Sequence, residues 1–228
     1  MGRKRFVVFT GSWTESAGTE ALPHIGSEDF IVCADGGYEN CRAAGIRPKA
    51  VIGDFDSLPE ERICEIESLG IERVVHPCEK DDTDTMLCLR YGAARGYEEF
   101  LIIGGIGGDT GHTMANIQAL SFLADMDRTA EIVTEIERIF MADGMAASDS
   151  RKAKPAAPVT FSGRPGTCFS VLSYAERSSG VFVKNAKYEL ADAVLTHSCP
   201  VGVKNEFINK EPVTVSVRCG RLLIISGR

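Results

Sequence analysis

Four times in its first half the chain runs through a short apolar stretch and then gives way to aspartate and glycine. Phe30 to Ala34 ends at Asp35-Gly36-Gly37, and Ala50 to Ile52 ends at Gly53-Asp54-Phe55-Asp56-Ser57-Leu58. Val74-Val75 is followed a few residues on by Lys80-Asp81-Asp82-Thr83-Asp84, and Phe100 to Ile103 by Gly104-Gly105-Ile106-Gly107-Gly108. Phe6 to Phe9 and Ile132-Val133 are further apolar runs of strand length. Helical spacing lies between them, at about 82–95 with Leu87, Tyr91 and Ala94 on one face, and at about 113–124 with Met114, Ile117 and Leu120 three apart. Strand and helix alternating in this way predict an α/β fold with a doubly wound, mostly parallel sheet. Parallel strands bring all four polar clusters to one rim, and ligands bind outside the carboxyl ends of such strands.

The pattern changes after residue 142. Residues 143–158 carry no periodicity and read as a linker or long loop. Beyond them Val213, Val215 and Val217 alternate with Thr214, Ser216 and Arg218, which is strand period. Thr167 to Leu172, Val181 to Val183 and Leu222 to Ile225 are further strand candidates, and no helix pattern follows the linker. The expected organisation is an α/β domain over 1–145 and a smaller all-β sandwich over 155–228.

Composition excludes several classes. A net charge of −7 argues against a nonspecific grip on nucleic acid, though not against a metal-bound phosphate substrate. No apolar run approaches the roughly 20 residues of a membrane helix. The basic start, Met1-Gly2-Arg3-Lys4-Arg5, is followed only by Phe6 to Phe9, too short for a secretory core, so a cytoplasmic location is expected. The eight cysteines are scattered without a C-x-x-C pair, so neither a zinc site nor a redox motif is expected.

Each polar cluster admits a bland and a chemical reading. If the backbone stays extended, Asp54 and Asp56 point the same way. Two carboxylates about 4 Å apart repel by roughly 4 kcal/mol at an effective dielectric near 20, which a divalent cation would relieve. Oxygen-only ligands favour Mg²⁺. The alternative is an exposed turn with Asp56 or Ser57 capping a helix from near Pro59. Asp35-Gly36-Gly37 is either a simple turn or a close backbone approach to a nucleotide that Asp35 contacts. In the bland reading Asp81 caps the helix that follows; in the chemical one Asp84 joins the metal set and Lys80 meets a phosphate oxygen. The run Gly104 to Gly108 can face an anion with its N–H groups at the start of the helix near Thr113. It is not a P-loop, because no Gly-Lys-Ser/Thr follows. His112 is either a buried hydrogen-bonding histidine or a ligand contact. Trp13, the sole tryptophan, is explained by core packing as readily as by ligand contact.

Taken in order, Ala34-Asp35-Gly36-Gly37, Gly53-Asp54-Phe55-Asp56-Ser57, Lys80-Asp81-x-Thr83-Asp84 and a glycine loop ending in His112-Thr113-x-Ala115-Asn116 resemble the thiamine pyrophosphokinases. Lys187-Tyr188 before Leu190, and Asn205-Glu206-Phe207 after Gly202, resemble that family's C-terminal signature. The resemblance implies an α/β domain, a C-terminal β-sandwich, and a homodimer with thiamine at the subunit interface. It implies transfer of the pyrophosphoryl group of ATP to thiamine, releasing AMP. Asp54, Asp56 and Asp84 would hold Mg²⁺, and Asp81 or Asp84 would accept the hydroxyl proton. Asp35, Gly36, Gly37, Lys80, Gly105, Gly107, Gly108, His112 and Asn116 would place the nucleotide, and Lys204, Asn205 and Glu206 would lie near the thiamine. The chain departs from the family's pattern at three positions: Asp109 replaces an arginine, Gly111 an aspartate and Lys204 a serine. These departures admit rival readings: another hydroxymethyl heterocycle such as a pterin as acceptor, or a non-catalytic nucleotide or thiamine sensor. A metal-dependent phosphohydrolase, with water in the acceptor's place, is a further rival.

Overall fold

The computed structural model describes residues 4–12, 22–23, 25–78, 81–144 and 157–228. Lys80, Trp13 and most of the linker at 143–158 lie outside the described residues. The chain divides into two compact units, Met1–Glu135 and Ile136–Arg228.

The first unit contains β1 (Phe6–Phe9), β2 (Phe30–Ala34), α1 (Gly37–Ala43), β3 (Ala50–Gly53), α2 (Glu60–Ser68) and β4 (Glu72–Val75). It continues through α3 (Asp84–Ala94), β5 (Glu99–Ile103), α4 (Thr110–Asp125) and β6 (Thr129–Val133). Its strands lie in the order β6-β5-β1-β2-β3-β4, all parallel. The chain winds outward from β1 to β4 and then returns to the other side of β1 as β5. The order therefore reverses between β1 and β5, the position at which open α/β sheets leave a crevice.

Both faces of this sheet are covered, which is why its strands read as unbroken apolar runs. Val7, Phe9, Val51, Leu101 and Ile103 pack with Tyr38 and Cys41 of α1 and Ile66 of α2. Phe6 and Phe100 alternate to the opposite face and meet α3 at Gly92. A Cβ there would come within 2.7 Å of the Phe6 ring and 2.8 Å of the Phe100 ring, so α3 can lie this close only with glycine. Among the described residues, no helix is long and apolar enough to cross a membrane.

The second unit holds β7 (Glu137–Asp143), β8 (Val159–Phe161), β9 (Cys168–Ser173), β10 (Arg177–Lys184), β11 (Leu190–Thr196), β12 (Asn205–Glu206), β13 (Val213–Ser216) and β14 (Arg221–Gly227). Within it, β12-β9-β14-β7 and β11-β10-β13-β8 are antiparallel sets. Alternate residues of both sets, among them Phe140, Phe161, Phe169, Val183, Val215 and Leu222, form one core, so the unit is a β-sandwich. The unit boundary falls before residue 145 because β7 pairs with β14 from Glu137↔Gly227 to Asp143↔Arg221.

Candidate active site

A cavity of about 470 Å³ opens at the carboxyl ends of β1, β2 and β5 and the first turns of α3 and α4. Thr10, Gly11 and Ser12 line it from β1, and Asp35 and Gly36 from β2. Ser57, Thr83, Asp84, Gly107, Gly108, Asp109, His112 and Asn116 complete most of its wall.

Asp35 is the most constrained of these. It is 4% exposed and adopts φ +40, a left-handed conformation uncommon for a residue with a Cβ. Its N–H continues the β2–β3 ladder by donating to Ile52 O at 3.0 Å. The Ser57 hydroxyl donates to Asp35 Oδ2, while Asp35 Oδ1 is buried with no hydrogen-bond partner among the described residues. Opposite it stands Gly53, where a Cβ would lie 2.8 Å from Asp35 Cβ and 3.2 Å from an Asp84 oxygen. The missing side chain at 53 is what lets these two acids approach. Asp35, Asp54 and Asp84 each present an oxygen within 4.8 Å of the others. An orphaned buried oxygen among three convergent carboxylates fits a hard divalent cation such as Mg²⁺.

Asp54 and Asp56 do not sit on an extended strand. β3 ends at Gly53, and Phe55 turns the chain with φ +66. Its ring is buried in the α1–α2 core and lies under the Arg73 guanidinium, 4.7 Å from the ring centroid. A buried aromatic thus pins the turn, and Asp56 N–H donates to Asp54 Oδ1 at 3.3 Å. Asp56 is exposed and groups with Asp54 and Cys78, not with Asp84. Neither Asp56 nor Ser57 caps α2, whose N-cap is Pro59 without a side-chain bond.

Asp81 does not cap α3 either. Thr83 does, accepting from Met86 N–H at 3.2 Å, and this cap sets Asp84 in the first turn at the cavity wall. Asp81 is exposed and lies outside both acid groups and the cavity lining; Asp82 pairs with Arg90 at 2.8 Å. Four residues beyond Asp84, Cys88 is fully buried; burial first, and then the Asp84 charge, push its thiol well up, so it is inert.

On the other wall, Gly104, Gly105, Gly107 and Gly108 all take positive φ. The loop is held by Asn116, whose amide donates to Gly105 O at 2.7 Å, so Asn116 shapes the loop. Two loop N–H groups serve the protein itself: Gly105 donates to Ser12 Oγ at 2.6 Å and Gly107 to Thr113 Oγ1 at 3.1 Å. Asp109 is the N-cap of α4 and accepts from His112 N–H at 2.8 Å. A carboxylate thus fills the helix start where an arginine was expected nearby. His112 is exposed on the cavity, which removes the buried-histidine reading. Gly36 lines the cavity, and Gly37 serves packing, since a Cβ there would strike Phe9 O. Thr10 and Ser12 were missed from the sequence, although Thr10-Gly11-Ser12 follows an apolar run as the other clusters do.

In the second unit Asn205 is buried and bridges a backbone turn. Its carbonyl accepts from Tyr188 N–H at 3.0 Å, and its amide donates to Tyr188 O at 2.8 Å. Glu206 pairs with Lys187 at 2.9 Å, a bond that raises the Lys187 pKa. Lys204 is exposed and turns the chain at φ +58. The side chain of Tyr188 is 60% exposed beside this pair.

An acid group and a glycine loop at the switch point of a parallel sheet, in a chain that also carries a β-sandwich, define a class of phosphate-handling α/β proteins. The chain belongs to the thiamine pyrophosphokinase family: residues 23–133 match the model of the thiamin pyrophosphokinase catalytic domain, and 159–222 that of its vitamin B1 binding domain. A thiamine pyrophosphokinase of Bacillus subtilis strain 168 is 38% identical over 77 residues, a match spanning 34% of this chain and 36% of that relative. Among solved structures, a B. subtilis thiamine pyrophosphokinase superposes with TM-score 0.81 at 21% identity, covering 98% of this chain and 99% of that one. One from Geobacillus thermodenitrificans gives 0.78 at 23%, covering 98% and 97%, and the yeast enzyme gives 0.74 at 13%, covering 100% and 87%. At these identities the structural likeness shows the fold.

Proposed function

We propose that the chain transfers the pyrophosphoryl group of ATP to the hydroxyl of thiamine, giving thiamine diphosphate and AMP. The observation that carries this reading is the buried Asp35 oxygen, without a hydrogen-bond partner among the described residues, in a group with Asp54 and Asp84 across a cavity from a glycine loop. In this reading Asp35, Asp54 and Asp84 hold Mg²⁺, and Asp56 adjoins them. When bound, the ion neutralises charge that builds on the transferring phosphates. Ser57 fixes the Asp35 carboxylate so that its second oxygen stays available to the ion. Gly107 and Gly108 leave room for phosphates at the loop, Gly105 is held by Ser12 and Asn116 beneath them, and His112 meets the phosphates from the start of α4. Asp84 lines the cavity and Asp81 does not, so Asp84 is the better placed of the two to accept the hydroxyl proton.

Asn205 acts on the thiamine side by position. Its amide is committed to Tyr188, so it holds the Lys187–Glu206 pair and the exposed Tyr188 ring in place. We place the reaction in the cytoplasm, in a homodimer whose interface takes in this segment, where Val201, Val203 and Ile208 are also exposed. Mass spectrometry of the products from ATP, Mg²⁺ and a panel of acceptors tests the reading. Thiamine diphosphate with stoichiometric AMP is expected. ADP, or phosphate released without an acceptor, would refute it.

Asp109 favours a second reading, a nucleotide or thiamine sensor. Its carboxylate sits where an incoming phosphate would otherwise meet the α4 N–H groups. Calorimetric binding of ATP without AMP release would establish that reading instead.

A further inference from the structure

We propose that Ser12 is a nucleotide-binding residue: its oxygen anchors the glycine loop, and its hydroxyl proton is offered to a phosphate oxygen in the cavity. Ser12 stands just beyond the end of β1, on a support held from two sides. Thr10 is 4% exposed, and its N–H and its hydroxyl both donate to Ile103 O of β5, each at 3.0 Å. The Asn40 amide of α1 donates to Thr10 O at 2.7 Å. Two residues on, Ser12 lines the cavity, and its Oγ accepts from Gly105 N–H at 2.6 Å. The root of the loop is completed by Gly104 N–H on Val133 O at 2.9 Å and by the Asn116 amide on Gly105 O at 2.7 Å.

The Ser12 proton decides what else the side chain can do. Thr10 commits its own proton to Ile103 O, so in the Thr10–Ser12 contact Thr10 accepts and Ser12 donates. That contact is 3.3 Å long, beyond the roughly 2.5–3.0 Å of an ordinary O–H···O bond, so it holds the Ser12 proton weakly. A phosphate oxygen entering the cavity is a charged acceptor, and a hydrogen bond to a charged group is about twice as strong as one between neutral groups. Beyond Gly105 the loop is open: Gly107 and Gly108 take positive φ, and a Cβ at either would meet nothing within 4 Å. The phosphates therefore have space beside a loop whose root is fixed, and Ser12 stands at that root. The assignment rests on the nucleotide reading of the cavity and is independent of which acceptor receives the transferred group.

Calorimetry of the purified full chain with α,β-methylene-ATP and magnesium tests the assignment, because the bridging carbon of this analogue resists cleavage. Ser12→Ala should bind the analogue about tenfold more weakly or worse, bind adenosine as the parent does, and keep the parent's circular dichroism. Ser12→Thr retains the hydroxyl and should restore parental affinity for the analogue. Unchanged affinity for the analogue in Ser12→Ala, an equal loss for adenosine, or no rescue by threonine overturns the proposal. Products of the parent with ATP and thiamine separate the two readings: analogue binding without AMP release refutes the transferase, while the comparison of Ser12 variants still decides the role of Ser12.

Discussion

Replacing Asp35 with asparagine should stabilise the metal-free protein and abolish its response to magnesium. Asp35, Asp54 and Asp84 present oxygens within 4.8 Å of one another. Two unit charges at that distance repel by about 3.5 kcal/mol at an effective dielectric near 20. Asp35 takes part in two such pairs. Asp54 and Asp84 are only half-buried, so water screens both pairs and brings the net relief down to about 1–3 kcal/mol. Asparagine is nearly isosteric with aspartate. Its oxygen can still accept from Ser57, and its amide puts a donor where Asp35 Oδ1 has no partner. At about 2–4 °C per kcal/mol for a chain of this size, Tm in EDTA should rise by about 2–12 °C. Magnesium reverses the comparison. An ion that binds only the folded state adds about 2.7 kcal/mol at a hundred times its Kd, so the parent's Tm should climb while the variant's stays in place. Scanning fluorimetry of both proteins, in EDTA and across a magnesium titration, reads this directly. A variant that melts below the parent in EDTA, or that gains the same magnesium stabilisation, refutes the idea of one mutually repelling acid group.

Gly53→Ala should weaken magnesium binding without touching a ligand, because its Cβ would press on Asp35 and Asp84; overpacking of this kind costs about 1–3 kcal/mol. Circular dichroism should show the fold retained, and a parental magnesium titration would count against the argument. Asn205→Ala removes both hydrogen bonds to Tyr188 and should raise KM for thiamine more than KM for ATP; equal rises would point to general destabilisation. Burial pushes the Asp29 carboxyl up, but bonds from Arg5 and from Gly26 N–H outweigh it and hold the pKa below the ordinary value. A depressed folded-state pKa gives stability that is present above the unfolded value and lost as pH falls through the folded one. Acid titration of Asp29→Asn against the parent should therefore show the parent's advantage shrinking below about pH 4, and an advantage constant down to pH 2 would contradict it.

The fold was legible wherever burial on both faces forced an apolar run, as at β1, β2, β3 and β5, and wherever alternation marked one inward face, as at β13. It was not legible where tertiary pairing alone makes the element. β11 is largely exposed and reads as Leu-Ala-Asp-Ala-Val-Leu-Thr, with little apolar contrast; it is a strand because β10 pairs with it. β7 belongs with the second unit for the same reason, since its pairing depends on β14, more than seventy residues away. α1 is short and begins at a glycine without a side-chain cap, so no local signal announces it.

The acids show the same division more sharply. That Asp54 and Asp84 reach one site follows from parallel strands delivering their ends to a common rim, and the motif order was enough to read it. Asp35 joins them for a reason no local pattern displays, because its neighbours are set by register. Ala34 pairs with Ile52, so the residue that follows Ala34 comes level with Gly53, the one residue there with no side chain to exclude it. The sequence displays that glycine but not what it faces. Asp56 shows the converse. Strand alternation would aim it alongside Asp54, but Phe55 gains more by burying its ring against the α1–α2 core than the backbone loses by entering the left-handed region. Core packing at Phe55 therefore decides that Asp54, and not Asp56, groups with Asp35 and Asp84. A substitution that frees this ring, such as Phe55→Gly, should disturb that acid group although it removes no ligand from it.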